Sequence, residues 1–523
     1  MPVLFLVACA DDPLLLTDGS VHAKAYATPT ALSGADAVIT GHASSNRFGE
    51  SIAFSDLDGD GHPDLVVGAR SQNSGKGAAW VIWGDSLGDI DLSEWTGHTT
   101  SSIAGDVTLV RSNGYSNLDY FGWDVADLGD GTVAVSSPAG DYSSSVSRGA
   151  GYTHIFDGLH SGARLDDDET AASASDGEII GGPIKAGSAT TKCDYNGVAY
   201  GGEIGGTTQV AVGCPLEDKW GTYDGAIYFL DSDVSSLQSV RTDANLIIRG
   251  PEPTNQAQIG ERGTYVIGDL DGDGDSDDAA IGCRMYEDPS DGRRYGAVFL
   301  VLDATDTSLW SGGIIDLETD YDYLLRGASL REGVGYRVEL VPDMNADGAD
   351  ELLIAAPYED TGALSAGGAW LVTGLPSTSE IELDTTTALL LKGEERSDKA
   401  GSSVLGHDFD FDGVGDLAIG AEKAKGQSGL TEGGRVYHLS GATLQADGYF
   451  DSSGLATGEV DLADADDVWG AEGSSFLTGI ELGAADFDRD EDGTDDSAIL
   501  AIGASQHNEQ GRNTGAVYLV QVN

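Results

Sequence analysis

The stretch Asp56-Leu57-Asp58-Gly59-Asp60-Gly61-His62-Pro63-Asp64, running straight into Leu65-Val66-Val67-Gly68-Ala69, decides how the rest of the chain is read. It sets acidic side chains at alternate positions 1, 3 and 5, a glycine at 6 and a further carboxylate at 9, then a short apolar run. The string returns as Asp269, Asp271, Asp273, Asp275 and Asp277; as Asp343, Asn345, Asp347, Ala349 and Glu351; and as Asp408, Asp410, Asp412, Val414 and Asp416. A fifth copy holds Asp486, Asp488, Asp490, Asp492, Thr494 and Asp496, with about two extra residues that leave its register open. Each copy leads into a similar strand: Ala279 to Cys283, Leu352 to Ala356, Leu417 to Ala421 and Leu500 to Ala504.

Working outward, a residue-Gly step precedes each loop: Phe48-Gly49, Ile259-Gly260, Val334-Gly335, Ala400-Gly401 and Thr478-Gly479. A glycine and a β-rich strand follow, as in Gly77 to Trp83 or Gly515 to Val520. Two more copies keep this frame without the acidic loop, one from Phe121-Gly122 to Phe156 and one from about Gly187 to Leu230. Seven units of roughly 70 residues, each with about four short strands and no helical periodicity, predict an all-β, seven-bladed β-propeller. A closed ring removes the unpaired edges that an open array would expose. Each unit ends in a strand such as Ile247 to Gly250 or Leu390 to Gly393, and one such strand, Ala37 to Gly41, stands ahead of the first unit. The N-terminal strand is therefore expected to complete the last blade. The expected organisation is a possible truncated signal segment at 1–8, a linker at 9–36 and the propeller at 37–523.

These residues resemble the FG-GAP repeats of the integrin α-subunit N-terminal propeller, with the bacterial secreted or lipoprotein type the nearer comparison. Phe48-Gly49 with Gly68-Ala69, and Phe121-Gly122 with Ser137-Pro138, carry the likeness, which extends over the chain from about Ala37. The resemblance implies calcium in the loops of one rim and ligands at the opposite rim. Strict Gly-Ala-Pro is rare here, and the second and third units lack the loop.

Alternate carboxylates in a tight turn converge on one point, and a hard cation with six to eight oxygen ligands fits that donor set. Position 7 (His62, Asp275, Ala349, Val414 and Thr494) would offer its backbone carbonyl. An EF-hand shares the opening but needs a Glu at position 12, where this chain has Val67, Ala280, Ile354, Ile419 and Ile499. The loops are read as β-hairpin Ca²⁺ sites, about five in all.

With 27 basic and 88 acidic side chains the formal charge is −61, which argues against nucleic acid or anionic headgroups as partners. An apolar share of 40% excludes a disordered chain. Leu6-Val7-Ala8-Cys9 resembles a lipobox, making Cys9 a candidate lipidation site and the location extracytoplasmic, at the cell surface or secreted. Any membrane contact would run through that anchor. Besides Cys9, the cysteines are Cys193, Cys214 and Cys283, whose pairing spacing does not assign.

No His-Glu-x-x-His or Gly-x-x-x-x-Gly-Lys string occurs, and the nine histidines are scattered, so a non-enzyme is expected. The expected function is a calcium-binding, integrin-α-like module for binding or adhesion to an extracellular protein or glycan. The alternatives are a structural surface scaffold without a discrete ligand, and a propeller lectin or polysaccharide-active enzyme. Candidate ligand-contacting aromatics are Tyr115, Tyr120, Tyr142, Trp220, Tyr223, Tyr286, Tyr295 and Tyr358.

Overall fold

The computed structural model describes residues 30–32, 35–41, 46–84, 87, 90–91, 107–111, 119–129, 131–138, 151–157, 168–170, 177–180, 197–217, 224–233, 238–240, 242–251, 257–310, 312–375, 377–426, 431–471, 473, 476–487, 497–507 and 513–522. Within them, strand Asp64–Gly68 shows where the apolar runs go. Successive side chains of a strand point to opposite faces. Leu65 and Val67 pack with Ala501 and Leu519 on one side, while Val66 packs with Val125 and Val135 on the other. A strand covered on both faces is apolar throughout rather than alternating.

Seven five-stranded sheets repeat this arrangement. In the first, Ile52–Ser55, Asp64–Gly68, Ala78–Ile82 and Val107–Arg111 form an antiparallel meander from the axis outward. The innermost strands are Ile52–Ser55, Val125–Asp127, Val198–Ile204, Tyr265–Gly268, Val338–Val341, Ala400–His407 and Thr478–Phe487, and they abut in a closed circuit. Each of seven apolar clusters lies between two adjacent sheets, so the core is a ring of interblade layers. The protein is a seven-bladed β-propeller.

Closure follows the sequence expectation. Ala37–Thr40 pairs antiparallel with Ala516–Gln521, with Val38 opposite Tyr518, and supplies the fourth strand of the last blade. Phe48 bridges Gly515 across the same junction, and Gly77 bridges Phe121 at the next. These glycines are required: Gly515 has φ +85°, and a Cβ there would lie 2.0 Å from the Phe48 carbonyl oxygen.

Two features depart from the sequence reading. Each blade has a fifth, outermost strand, parallel and only two to four residues long, lent by the connection before the fourth strand of the next blade. Ile314–Asp316 on Leu246–Arg249 and Glu380–Leu383 on Tyr323–Gly327 are examples. Such short pieces carry no readable period. Thr30–Ala31 plays this part on Asp467–Gly470, so the propeller begins inside the stretch expected to be a linker.

Cys214 is disulfide-bonded and Cys283 is free and buried. Cys9 and Cys193 lie outside the described residues. Among the described residues, no helix is long and apolar enough to cross a membrane.

Candidate metal centre

Each acidic loop joins the first and second strands of a blade, which puts all of them on one rim. Four are described in full, and they are built alike. The carboxylate at position 1 accepts the N–H of the glycine at position 6: Gly61 to Asp56 at 3.0 Å, Gly274 to Asp269 at 3.0 Å, Gly348 to Asp343 at 3.0 Å and Gly413 to Asp408 at 2.9 Å. The glycine N–H meets that carboxylate with φ between +83° and +96°, a left-handed conformation that side chains disfavour. Position 3 accepts the N–H of position 5, as Asp60 to Asp58 at 3.2 Å and Asp347 to Asn345 at 2.9 Å. Position 5 in turn accepts the N–H of position 7, as His62 to Asp60 at 2.9 Å and Val414 to Asp412 at 2.9 Å.

The last carboxylate of each loop is buried and braces the turn. Asp64 accepts N–H groups from Leu57 at 2.8 Å and from Gly84 at 2.7 Å, tying the loop to the chain after the third strand. Asp416 does the same for Phe409 at 3.0 Å and Gly441 at 2.8 Å, and Glu351 holds Met344 at 2.5 Å. In the second loop this part falls to Asp278, which holds Leu270 at 2.8 Å and Asp303 at 2.9 Å. The sequence register pointed to Asp277. One inserted residue shifts the brace, and the signal was present in the doubled Asp277-Asp278.

The oxygens converge as the spacing implies. One ligand atom each from Asp56, Asp58 and Asp64 lie within 4.8 Å of one another, as do those of Asp269, Asp271 and Asp273, of Asp343, Asp347 and Glu351, and of Asp408, Asp410 and Asp416. Every donor in these groups is a hard carboxylate oxygen, which fits a cation such as Ca²⁺ and not a soft metal. Burial first, and then Asp58 and Asp60, push the Asp64 carboxyl up to about 7. Glu351 is pushed up to about 8 by burial and by Asp343, Asp347 and Asp350. Asp277 rises to about 6 through burial and the charges of Asp303, Asp273, Asp275 and Asp271. Uncompensated negative charge is thus the electrostatic character of each loop.

Asp486 is not part of a loop. It lies in strand Thr478–Phe487 opposite Ala498, and its Oδ1 meets His407 Nε2 at 2.7 Å. A strand ending at Phe487 makes Asp488 the first loop position, with Gly493 at 6 and Asp496 at 9. Asp488, Asp490, Asp492, Thr494 and Asp496 lie outside the described residues.

The FG-GAP repeat family matches residues 48–82, which run from Phe48-Gly49 through the first acidic loop into the third strand. The first blade thus carries an FG-GAP repeat, and its strand frame recurs in all seven blades of the propeller. The chain is 37% identical over 105 residues to bovine phosphatidylinositol-glycan-specific phospholipase D, and 36% identical over 105 residues to the human protein. The matched stretch is 19% of this chain and spans only 12% of the length of those relatives.

The opposite rim of the propeller carries three of the candidate aromatics. Tyr120, Tyr295 and Tyr358 are half-buried there. The Arg326 guanidinium covers Tyr295 at 4.9 Å, and Lys399 Nζ lies 5.6 Å from the Tyr358 ring centre. Tyr286 corrects the expectation: it is 7% exposed and packs edge-on against Phe299 at 5.6 Å, as a core residue. Tyr115, Tyr142, Trp220 and Tyr223 lie outside the described residues.

The axis holds a group that sequence reading did not reveal. All seven innermost strands or their leads line a cavity of about 410 Å³. Toward its mouth Arg337 makes a bidentate pair with Glu481, both contacts at 2.9 Å, and Arg262 reaches the same carboxylate at 2.9 Å. Arg262 also donates to the carbonyls of Glu50 and Trp123, so one side chain ties blades one, two, four and seven. Burial raises nearby Asp124 to about 7 against the pull of Arg262. The network links strands across the ring, where no local spacing announces it.

Proposed function

We propose that this propeller is a calcium-stabilised, extracytoplasmic binding module, with cations fixing one rim and the other rim presented to a protein or glycan ligand. The observation that carries the proposal is the fourfold recurrence of one oxygen-only loop with the same hydrogen-bond pattern. In such a site Asp56, Asp58, Asp60 and Asp64, and their counterparts, would hold the ion, which supplies charge balance and rigidity rather than chemistry. Location outside the cytoplasm is supported by the family likeness and by millimolar extracellular calcium, which would fill even weak sites. The likeness to the phospholipases covers a length of one to two blades and is best carried as a shared binding architecture, not as shared hydrolysis. The test is binding of the purified chain to peptide and glycan arrays in Ca²⁺ and in EDTA. Calcium-dependent recognition of defined ligands is expected; equal signals on all features in both buffers would leave the scaffold reading in its place.

A further inference from the structure

On the rim opposite the acidic loops, the connections of blades four to six enclose two adjoining depressions of about 870 Å³ and about 650 Å³ that share Tyr358 and Ser365. In a chain of formal charge −61 their lining reverses sign, with eight basic residues against five acidic ones. Three of the bases, Arg331, Arg396 and Lys423, have no ion pair among the described residues, although acids outnumber bases more than threefold in the chain. Four of the five lining acids are already engaged: Glu287 holds Arg294 at 2.8 Å, Asp360 accepts the Ser365 N–H at 2.6 Å, Glu395 pairs with Lys425, and Asp398 accepts the Glu395 N–H at 3.0 Å. The same groove exposes Leu330 at 48% and Leu364 at 53%, two of the four large apolar side chains exposed among the described residues.

We propose that this groove docks an extended acidic segment of a partner protein, its carboxylates meeting Arg331, Arg396 and Lys423 and an apolar side chain covering Leu330 and Leu364. The inference rests on the binding-module reading and names the ligand class for it. Aliphatic exposure favours a polypeptide over a sugar. The one ring at the centre of the groove, Tyr358, is held edge-on to Tyr336 at 6.4 Å and lies beneath Lys399, so it offers no free platform for stacking. Screening within about 8 Å at physiological salt lets the basic patch act locally despite the acidity of the rest of the surface.

The test uses the full chain in Ca²⁺ and three fluorescein-labelled probes: an alternating Glu-Leu peptide, an alternating Lys-Leu peptide and polygalacturonate. The expected result is saturable binding of the Glu-Leu peptide that weakens at least about tenfold between 0.05 and 0.5 M salt. The triple variant R331E/R396E/K423E, with an unchanged thermal midpoint, should bind it at least about tenfold less well, and L330S/L364S should weaken it with the salt dependence kept. Equal binding of the Lys-Leu peptide, preference for polygalacturonate, or self-association lost in the triple variant would each overturn the proposal. An array ligand whose binding survives the triple variant would leave the binding-module reading standing and overturn the groove alone.

Discussion

Blades one and three close the same hairpin in two ways. In blade one, strands Ile52–Ser55 and Asp64–Gly68 are joined by the acidic loop, whose carboxylates collect backbone N–H groups and converge to within 4.8 Å of one another. In blade three, Val198–Ile204 and Thr207–Cys214 run longer and meet at Gly205-Gly206, both left-handed at φ +62° and +78°. Two such residues make the tight turn whose twist matches a hairpin, and it needs no ion. The blade frame is therefore independent of the metal loop. The loop is a replaceable corner which, in the proposed function, makes the stability of its own blade depend on calcium.

The largest consequence is spatial. On chelation, amide exchange should rise sharply in the hairpins of blades one, four, five and six, while those of blades two and three stay protected. Exchange rising equally in all blades would remove the distinction. Next in size is a pair of single substitutions. Asp416→Ala removes a ligand and orphans the buried N–H groups of Phe409 and Gly441, an expected cost of about 3 kcal/mol in urea denaturation with Ca²⁺. Asp127→Ala, in the blade-two turn where the exposed carboxylate accepts from Gly129 at 3.3 Å, should cost clearly less, under about 1 kcal/mol.

The smallest effect is the pH dependence of the metal-free chain. Asp64 near 7 and Glu351 near 8 titrate above the ordinary carboxylate range, so the folded state holds these protons more tightly than the unfolded one. Stability without metal should be greatest below about pH 4 to 5 and fall as pH rises toward 8. Bound calcium would hold the same groups ionised, and with it the slope should reverse, stability falling on acidification. A metal-free midpoint that rises from pH 5 to pH 8 would contradict the assignment.

The fold was legible because its second strands repeat a rare composition, apolar on both faces and flanked by glycines that interblade bridges require. Ala37–Thr40 was placed correctly because the chain shows one outer strand too many at its start and one too few at its end. The borrowed fifth strands were not legible, since two to four residues hold no pattern. The loops were found by spacing, which fixes carboxylates at one, three and five. Spacing misplaced the brace in the second loop, where only burial separates Asp278 from Asp277. The Arg337–Glu481 pair joins residues 144 positions apart, and nothing local marks either partner. The groove of blades four to six was hidden for the same reason, because its bases come from separate connections.

The measurement that bears most directly on calcium closure is the number of Ca²⁺ bound, by equilibrium dialysis, with the thermal midpoint followed in Ca²⁺, Mg²⁺ and EDTA. Four described loops and a fifth with the same acidic spacing predict about five ions per chain and a midpoint raised by Ca²⁺ well beyond Mg²⁺. No more than one ion bound, with the same midpoint in all three solutions, would make the acidic loops turns.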